Sequence, residues 1–175
     1  MTIVVNDQIQ LAEFRPSDKD ALVEHLKDRN IYERTLRIPF PYTEAHADEW
    51  LALVAKSDKE HGRQLHWAIR TTEDFLIGGC GFEGFQVGKS HRCEIGYWLA
   101  TRFWGRGIMT AVVQRVCQHA FEEFGLVKII AHVVTHNPAS ARVLEKCGFV
   151  QEGLLRKHFL KDGQFIDVKL FALLR

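Results

Sequence analysis

No apolar run in this sequence approaches the ~20 residues that a membrane-spanning helix needs, so no membrane partner is expected. Neither sign of charge is in surplus: 23 Lys and Arg stand against 22 Asp and Glu, a formal net charge of +1. A nucleic-acid footprint requires clustered Lys and Arg; none occurs, and no nucleic-acid partner is expected. The four cysteines, Cys80, Cys93, Cys117 and Cys147, lie far apart with no C-x-x-C spacing. That excludes a disulfide scaffold and points to reduced, buried thiols in a cytoplasmic setting. The first ten residues have neither a basic segment nor a long apolar core, so they are not expected to be a signal peptide. Repeats, linkers and low-complexity tracts are missing as well. A chain of 175 residues suits one domain, 1–175, around a single core.

A complete phosphate-binding signature is also lacking. No G-x-x-x-x-G-K-[ST] run exists, and the dinucleotide pattern G-x-G-x-x-G is met at Gly105 and Gly107 but fails at Thr110. What is present is Glu94–Leu99, aromatic and β-branched, which reads as a strand. Trp104–Thr110 follows as a glycine turn running into a helix. A helix start presents about four unpaired N–H groups and roughly half a positive charge. Glycines there let an anion approach the backbone closely. The stretch reads either as an anion cradle or as a tight strand-to-helix turn.

Elsewhere the pattern alternates short strands and amphipathic helices. Gln8–Phe14 reads as an opening strand, and Ser17 with Asp20 as an N-cap before a short helix carrying Ala21, Leu22 and Leu26. Pro39 and Pro41 make 37–42 a loop, and Thr43 caps a helix with Ala47, Trp50, Leu51 and Val54 on one face. Residues 65–70 and 75–85 are two strands joined by a polar turn; Gly78, Gly79 and Gly81 in the second imply a bulge or a close backbone approach. The helix after the cradle buries Ile108, Ala111, Val112, Val116, Ala120 and Phe124, and Gly125 ends it. Residues 128–135 read as a buried strand. His132 and His136 share a strand face but lie ~13 Å apart at ~3.3 Å per residue, too far for one metal ion, so no metal site is expected. Asn137 caps the next helix, Pro138 opens it and Gly148 closes it. Residues 155–160 and 164–174 form a hairpin across Lys161, Asp162 and Gly163. The order implies an α/β (α+β) fold: a mixed sheet with helices on both faces.

The combination E-I-G-Y-W-L, W-G-R-G-I-M and N-P-A-S-x-R-V-L-E-K-C-G-F resembles the GNAT superfamily of N-acetyltransferases. An I-P-x-P-Y-T-x-x-x-A segment from Ile38 to Ala47 and a D-G-x-x-x-D hairpin from Asp162 to Asp167 resemble its RimJ/RimL branch. The resemblance covers nearly the whole chain. It implies a mostly antiparallel sheet with splayed central strands, and acetyl-CoA as co-substrate with no metal. The family's Q/R-x-x-G-x-G/A pattern falls on Trp104, Gly107 and Met109, so the first and last of these depart from it.

For a site, the resemblance implies that backbone groups of Gly105, Arg106, Gly107, Ile108, Met109 and Thr110 hold the pyrophosphate. Leu99 offers backbone groups to pantetheine, and Asn137 stands at the mouth of the acetyl-CoA slot. Phe40, Tyr42 and Trp50 either line the acceptor site or simply pack. Many members use a tyrosine to protonate the departing thiolate; here that position is Leu144, and Ser140 is the replacement candidate. Glu94 is the candidate base, a partly buried carboxylate either accepting a proton or pairing structurally; Glu83 and His91 are further candidates. The expected activity is acetyl transfer to an amine, foremost a protein N-terminal α-amine of the ribosomal-protein type. A small-molecule amine acceptor and a non-catalytic acetyl-CoA-binding module are the alternatives. A monomer or a homodimer is expected.

Overall fold

The structure is a computed structural model and describes residues 2–175. Eight strands and five α-helices follow one another along the chain. The order is β1 (Ile3–Val4), β2 (Ile9–Ala12), α1 (Lys19–Leu26), α2 (Arg29–Arg34), α3 (Glu44–His61), β3 (His66–Thr71), β4 (Leu76–Glu83), β5 (Arg92–Leu99), α4 (Ile108–Glu123), β6 (Lys128–Val134), α5 (Pro138–Lys146), β7 (Val150–Lys161) and β8 (Gln164–Leu174). The sheet is mostly antiparallel, with strand order β1-β2-β3-β4-β5-β6-β8-β7. Among the described residues no helix is long and apolar enough to cross a membrane. The chain forms two compact units, each discontinuous in sequence.

The first unit holds the described residues up to Glu33, with Arg37–Gly81 and Tyr97–Ile108. In β2, Ile9 and Leu11 are buried while Gln10 between them is not, the period expected of a strand with one covered face. The opening strand is shorter than 8–14, and a two-residue strand, β1, pairs with it through Ile3 and Leu11. The cap expected at Ser17 does not form. A 3-10 turn, Pro16–Asp18, precedes α1, and Asp18, which stands at the N-cap of α1, makes no cap bond to that helix but accepts the Arg15 N–H at 2.7 Å. Asp18 has a stronger partner as well: Arg70 Nη2 donates to both its carboxylate oxygens, at 2.8 and 2.6 Å, with both side chains buried.

Leu22, Leu26, Ile31, Tyr42, Ala47, Ala68, Leu76 and Trp98 form a core cluster, with Phe14, Trp50 and Leu51 packed against it. Tyr42 is therefore a core residue, Trp50 on α3 packs half-buried against that core, and Phe40 is exposed, its ring 5.1 Å from that of Tyr32. Thr43 caps α3 as its sequence requires, its hydroxyl accepting the His46 N–H at 3.4 Å. The glycines of β4 mark close approaches. A Cβ on Gly78 would meet the Trp98 carbonyl oxygen at 2.6 Å, one on Gly79 the Trp98 indole nitrogen at 2.7 Å, and one on Gly81 the His66 ring.

The second unit holds Arg34–Leu36, Phe82–Gly96 and Met109–Arg175. Helix α4 buries Met109, Val112, Val113, Val116, Cys117 and Ala120. Strand β6 pairs antiparallel with β8 along its whole length, from Lys128 opposite Leu174 to Val134 opposite Val168. Its parallel pairing with β5 covers only Lys128–Ile130 against Arg92–Glu94. Three of the four cysteines are buried; Cys147 is only half-buried, a correction to the uniform burial expected. The final hairpin turns at Asp162 and Gly163, with φ of 52° and 74°. Positive φ at both central residues is what a two-residue type I′ hairpin turn needs. Strand β7 begins at Val150, five residues before the expected start.

Candidate active site

The cradle is built from backbone. Strand β5 ends at Leu99, and a single 3-10 turn, Thr101–Phe103, follows. The Thr101 hydroxyl fastens that turn by donating to Asp28 at 2.8 Å. The indole N–H of Trp104 donates to the Leu99 carbonyl at 2.7 Å, so this departure from the family pattern is a fastening between strand end and loop. Gly105 and Gly107 both take φ of 75°. An L-residue in that left-handed region costs roughly 1–2 kcal/mol. Among the described residues no atom lies within 4 Å of a Cβ built on either glycine, so the backbone there faces open space.

Helix α4 starts at Ile108, immediately after a glycine that has no side chain with which to cap it. Its first turn contains no acidic residue. The first N–H groups of a helix have no partner within it, and those of Ile108, Met109 and Thr110 belong to that turn. Phe103 carries two guanidinium groups on its ring, Arg102 at 5.1 Å and Arg106 at 5.5 Å from the centroid. The Arg106 charge is thus held beside the turn rather than swinging free. Positive charge, unclaimed N–H donors and open left-handed glycines together suit a phosphate-bearing ligand.

The titratable residues lie on other elements. Glu94 Oε1 is 3.0 Å from His132 Nδ1, and both side chains are largely buried. The ring of His132 stacks on that of His158, with centroids 5.3 Å apart and planes 22° from parallel. Sequence reasoning measured His132 only against His136 and missed Glu94. The signal lies in strand register: Glu94 stands opposite Ile130 in the β5–β6 pair, two residues before His132 on the same face of β6. Of the other candidate bases, His91 takes φ of 48° and pairs its Nδ1 with the Gly125 carbonyl at 3.1 Å, which makes it a turn fastener. Among the described residues no group of three or more His, Cys, Asp or Glu is placed to hold a metal ion.

Asn137 and Ser140 are joined. The Asn137 Oδ1 accepts the Ser140 N–H at 3.1 Å, which caps α5, and its Nδ2 donates to the Arg34 carbonyl at 3.1 Å. The side chain is thereby fixed at both ends. Leu144, at the position where many GNAT members carry tyrosine, is fully buried. Cys80, Cys93 and Cys147 offer no nucleophile. Burial pushes Cys93 up to about 12, helped by the Glu94 charge, and Cys147 up to about 11. Burial also raises Cys80 strongly. Thiols held protonated at neutral pH are poor nucleophiles.

A family model described as acetyltransferase (GNAT) domain matches residues 8–150. The chain is 32% identical to the spermidine N(1)-acetyltransferase of Vibrio cholerae, over 98% of this chain and 95% of that one. It is 30% identical to the [ribosomal protein uS5]-alanine N-acetyltransferase of Escherichia coli, over 58% of this chain and 52% of that one. Among solved structures, Mycobacterium smegmatis RimJ in complex with CoA-disulfide shares 27% identity at a TM-score of 0.82, covering 95% of this chain and 81% of that one. A model match across most of the chain and relatives of one activity agree: this chain belongs to the GNAT family and is an N-acetyltransferase.

Proposed function

We propose that this enzyme transfers the acetyl group of acetyl-CoA to the α-amine of a protein N-terminus. The observation that carries the donor half is the cradle: two glycines at φ of 75° opening a helix whose first turn has no acid. Backbone N–H groups of Gly105 to Thr110 take the pyrophosphate, and Arg106 adds charge. Each hydrogen bond to a charged group contributes ~1.5–3 kcal/mol, so a few suffice for micromolar affinity after the entropic cost. Leu99 offers backbone groups to pantetheine, and one lone pair of its carbonyl is used by Trp104. Asn137 lines the slot. Acetyl-CoA supplies a thioester carbonyl for the amine to attack directly, since the protonated cysteines favour no acyl-enzyme route.

The acceptor half rests on proton arithmetic. An α-amine of pKa near 7.7–8.0 is roughly 10–20% neutral at pH 7, whereas a lysine-like amine is neutral at only ~0.04%. The first asks far less of the base. Glu94 stands on the proton-accepting side of the reaction and Ser140 on the side that returns a proton to sulfur. The ribosomal-protein relative supports this acceptor class. The second reading, a polyamine acceptor, is favoured by the near full-length similarity to a spermidine acetyltransferase.

CoA release with a short peptide bearing a free N-terminal alanine, set against the same peptide N-acetylated and against spermidine, tests both. Saturation by the free peptide alone supports the first reading. Saturation by spermidine alone replaces it with the second. No release with any amine, alongside heat stabilisation by acetyl-CoA, would leave a binding module.

A further inference from the structure

Strand β7 contains an irregularity that the activity as described so far does not use. Leu155 stands opposite Val168, and Phe159 opposite Ile166. Three residues, Arg156, Lys157 and His158, therefore face the single residue Asp167. Lys157 takes φ of 50°, a left-handed conformation that non-glycine residues seldom adopt without compensation. The compensation is Asp167, whose Oδ1 accepts the Lys157 N–H at 2.8 Å. The last residue of the D-G-x-x-x-D segment thus holds a bulge open.

The bulge changes which face of the sheet His158 serves. Residues directly opposite in antiparallel strands share a face, so His132, Leu170, Val168 and Leu155 lie on one face. Regular alternation from Leu155 would send His158 to the opposite face. The left-handed Lys157 breaks the alternation and brings His158 back, where it stacks on His132. Bulges that re-aim a side chain are characteristic of strands beside active sites.

Resting on the acetyltransfer reading above, we propose that His132 is the residue that takes the proton from the acceptor amine, with Glu94 and the bulge-mounted His158 as its positioning residues. Glu94 receives the Nδ1–H of His132, which leaves Nε2 with its lone pair. Among the described residues nothing hydrogen-bonds that second nitrogen. The charged groups sharing this face on β5 and β6 are Arg92 and Lys128, the latter paired with Glu152 at 2.6 Å. Strand β8 contributes Val168, Leu170 and Ala172 to the face, all uncharged. The same β6 strand ends two residues later at Val134 and leads through Asn137 to Ser140. Base and acid candidates so lie on one continuous stretch of chain.

The protons balance. An acceptor ammonium gives one proton to His132 Nε2, which passes it to water, and the neutral amine nitrogen bonds to the thioester carbon. The nitrogen, now cationic, gives its second proton to His132 Nε2 as the C–S bond breaks, while Ser140 gives its hydroxyl proton to the departing sulfur and takes one back from water. Glu94 remains a carboxylate throughout and offsets the imidazolium charge.

The test uses full-length enzyme with the peptide acceptor, comparing wild type, His132→Gln, Glu94→Gln, His158→Phe, His158→Ala and Asp167→Asn. Loss of a general base costs about 10²–10⁴ in rate. His132→Gln is expected to lose at least ~10²-fold in kcat/KM, and the ascending limb of its pH profile should move to that of the acceptor amine alone. Its KM for acetyl-CoA should stay as in wild type. Glu94→Gln is expected to lower kcat but keep the limb. His158→Phe should keep most activity because the stacked ring survives; His158→Ala and Asp167→Asn should lower kcat several-fold. A normal limb in His132→Gln, with the limb moved in Glu94→Gln, would overturn the dyad while leaving the acetyltransferase reading intact. The ¹⁵N spectrum of the histidines checks the geometry without turnover: His132 as the Nδ1–H tautomer in wild type, lost in Glu94→Gln, supports the proposal. An Nε2–H tautomer in wild type would refute it.

Discussion

The indole N–H of Trp104 donates to the carbonyl of Leu99 across five residues of chain, at 2.7 Å. The family pattern puts a polar side chain at position 104, from which Trp104 departs. The bond gives the tryptophan a different role, that of fixing the loop that carries Gly105 and Gly107. Replacing it by phenylalanine keeps the ring and removes the donor. Thermal unfolding of Trp104→Phe should show a loss of about 1 kcal/mol. Steady-state kinetics should show a raised KM for acetyl-CoA with kcat little changed.

Gly107→Ala places a Cβ on a residue at φ of 75°, which costs roughly 1–2 kcal/mol and twists the turn out of shape. Ligand at 100 times its Kd adds ~2.7 kcal/mol to the wild type, an upward shift of several degrees. The shift with acetyl-CoA should shrink sharply in Gly107→Ala and vanish in Gly107→Glu, where a carboxylate enters the anion's place. An undiminished shift in Gly107→Glu would rule the cradle out.

Arg70 and Asp18 form a desolvated pair, with side chains 3% and 5% exposed. Removing Asp18 leaves the buried Arg70 charge only the longer pairing with Asp74, at 3.7 Å. Asp18→Ala should therefore cost about 3–5 kcal/mol in urea unfolding. The double variant Asp18→Leu with Arg70→Met should recover much of that loss, because no buried charge remains.

Burial holds the imidazoles of His25 and His66 below the ordinary histidine range, in His66 against a partly opposing pull from Asp58. His25 also uses its Nε2 on the Leu76 carbonyl at 3.0 Å. The unfolded chain takes up protons at these positions before the folded one does. Their contribution is complete above the unfolded value of ~6.5 and is lost as pH falls from there towards the folded values. Urea midpoints should drop between pH 7.5 and 5.5, and His25→Gln should flatten that dependence. A midpoint independent of pH over this range would contradict the burial argument.

Features governed by neighbours in the chain were legible in the sequence. Thr43, the Asn137–Pro138 pair and Asp162–Gly163 each act within a few residues, and each does in three dimensions what its residue type prescribes. The expected cap of the first helix does not form because Asp18, not Ser17, stands at its N-cap, and the distant Arg70 takes both oxygens of that carboxylate. Helix α2 escaped notice because its six residues bury Ile31 alone, too little for a periodic stripe. Glu94 and His132 are 38 positions apart, and nothing in either strand announces the register that joins them. The bulge was invisible for a related reason. Lys157 is not a residue that signals positive φ, and the carboxylate that sustains it belongs to the other strand.

Gly79 lies so close to the Trp98 indole that it cannot gain a methyl group unless the tryptophan side chain gives way, whereas the obstacle at Gly78 is the backbone carbonyl of residue 98. Positions 79 and 98 are therefore one unit of inheritance. Among related chains, those with tryptophan at 98 should keep glycine at 79, those with a larger residue at 79 should have a smaller one at 98, and position 78 should stay glycine whatever side chain stands at 98. A single exchange at 79 or 98 would be filtered out, while the paired exchange would pass. An evolutionary record of this strand should read as correlated substitution and not as independent drift.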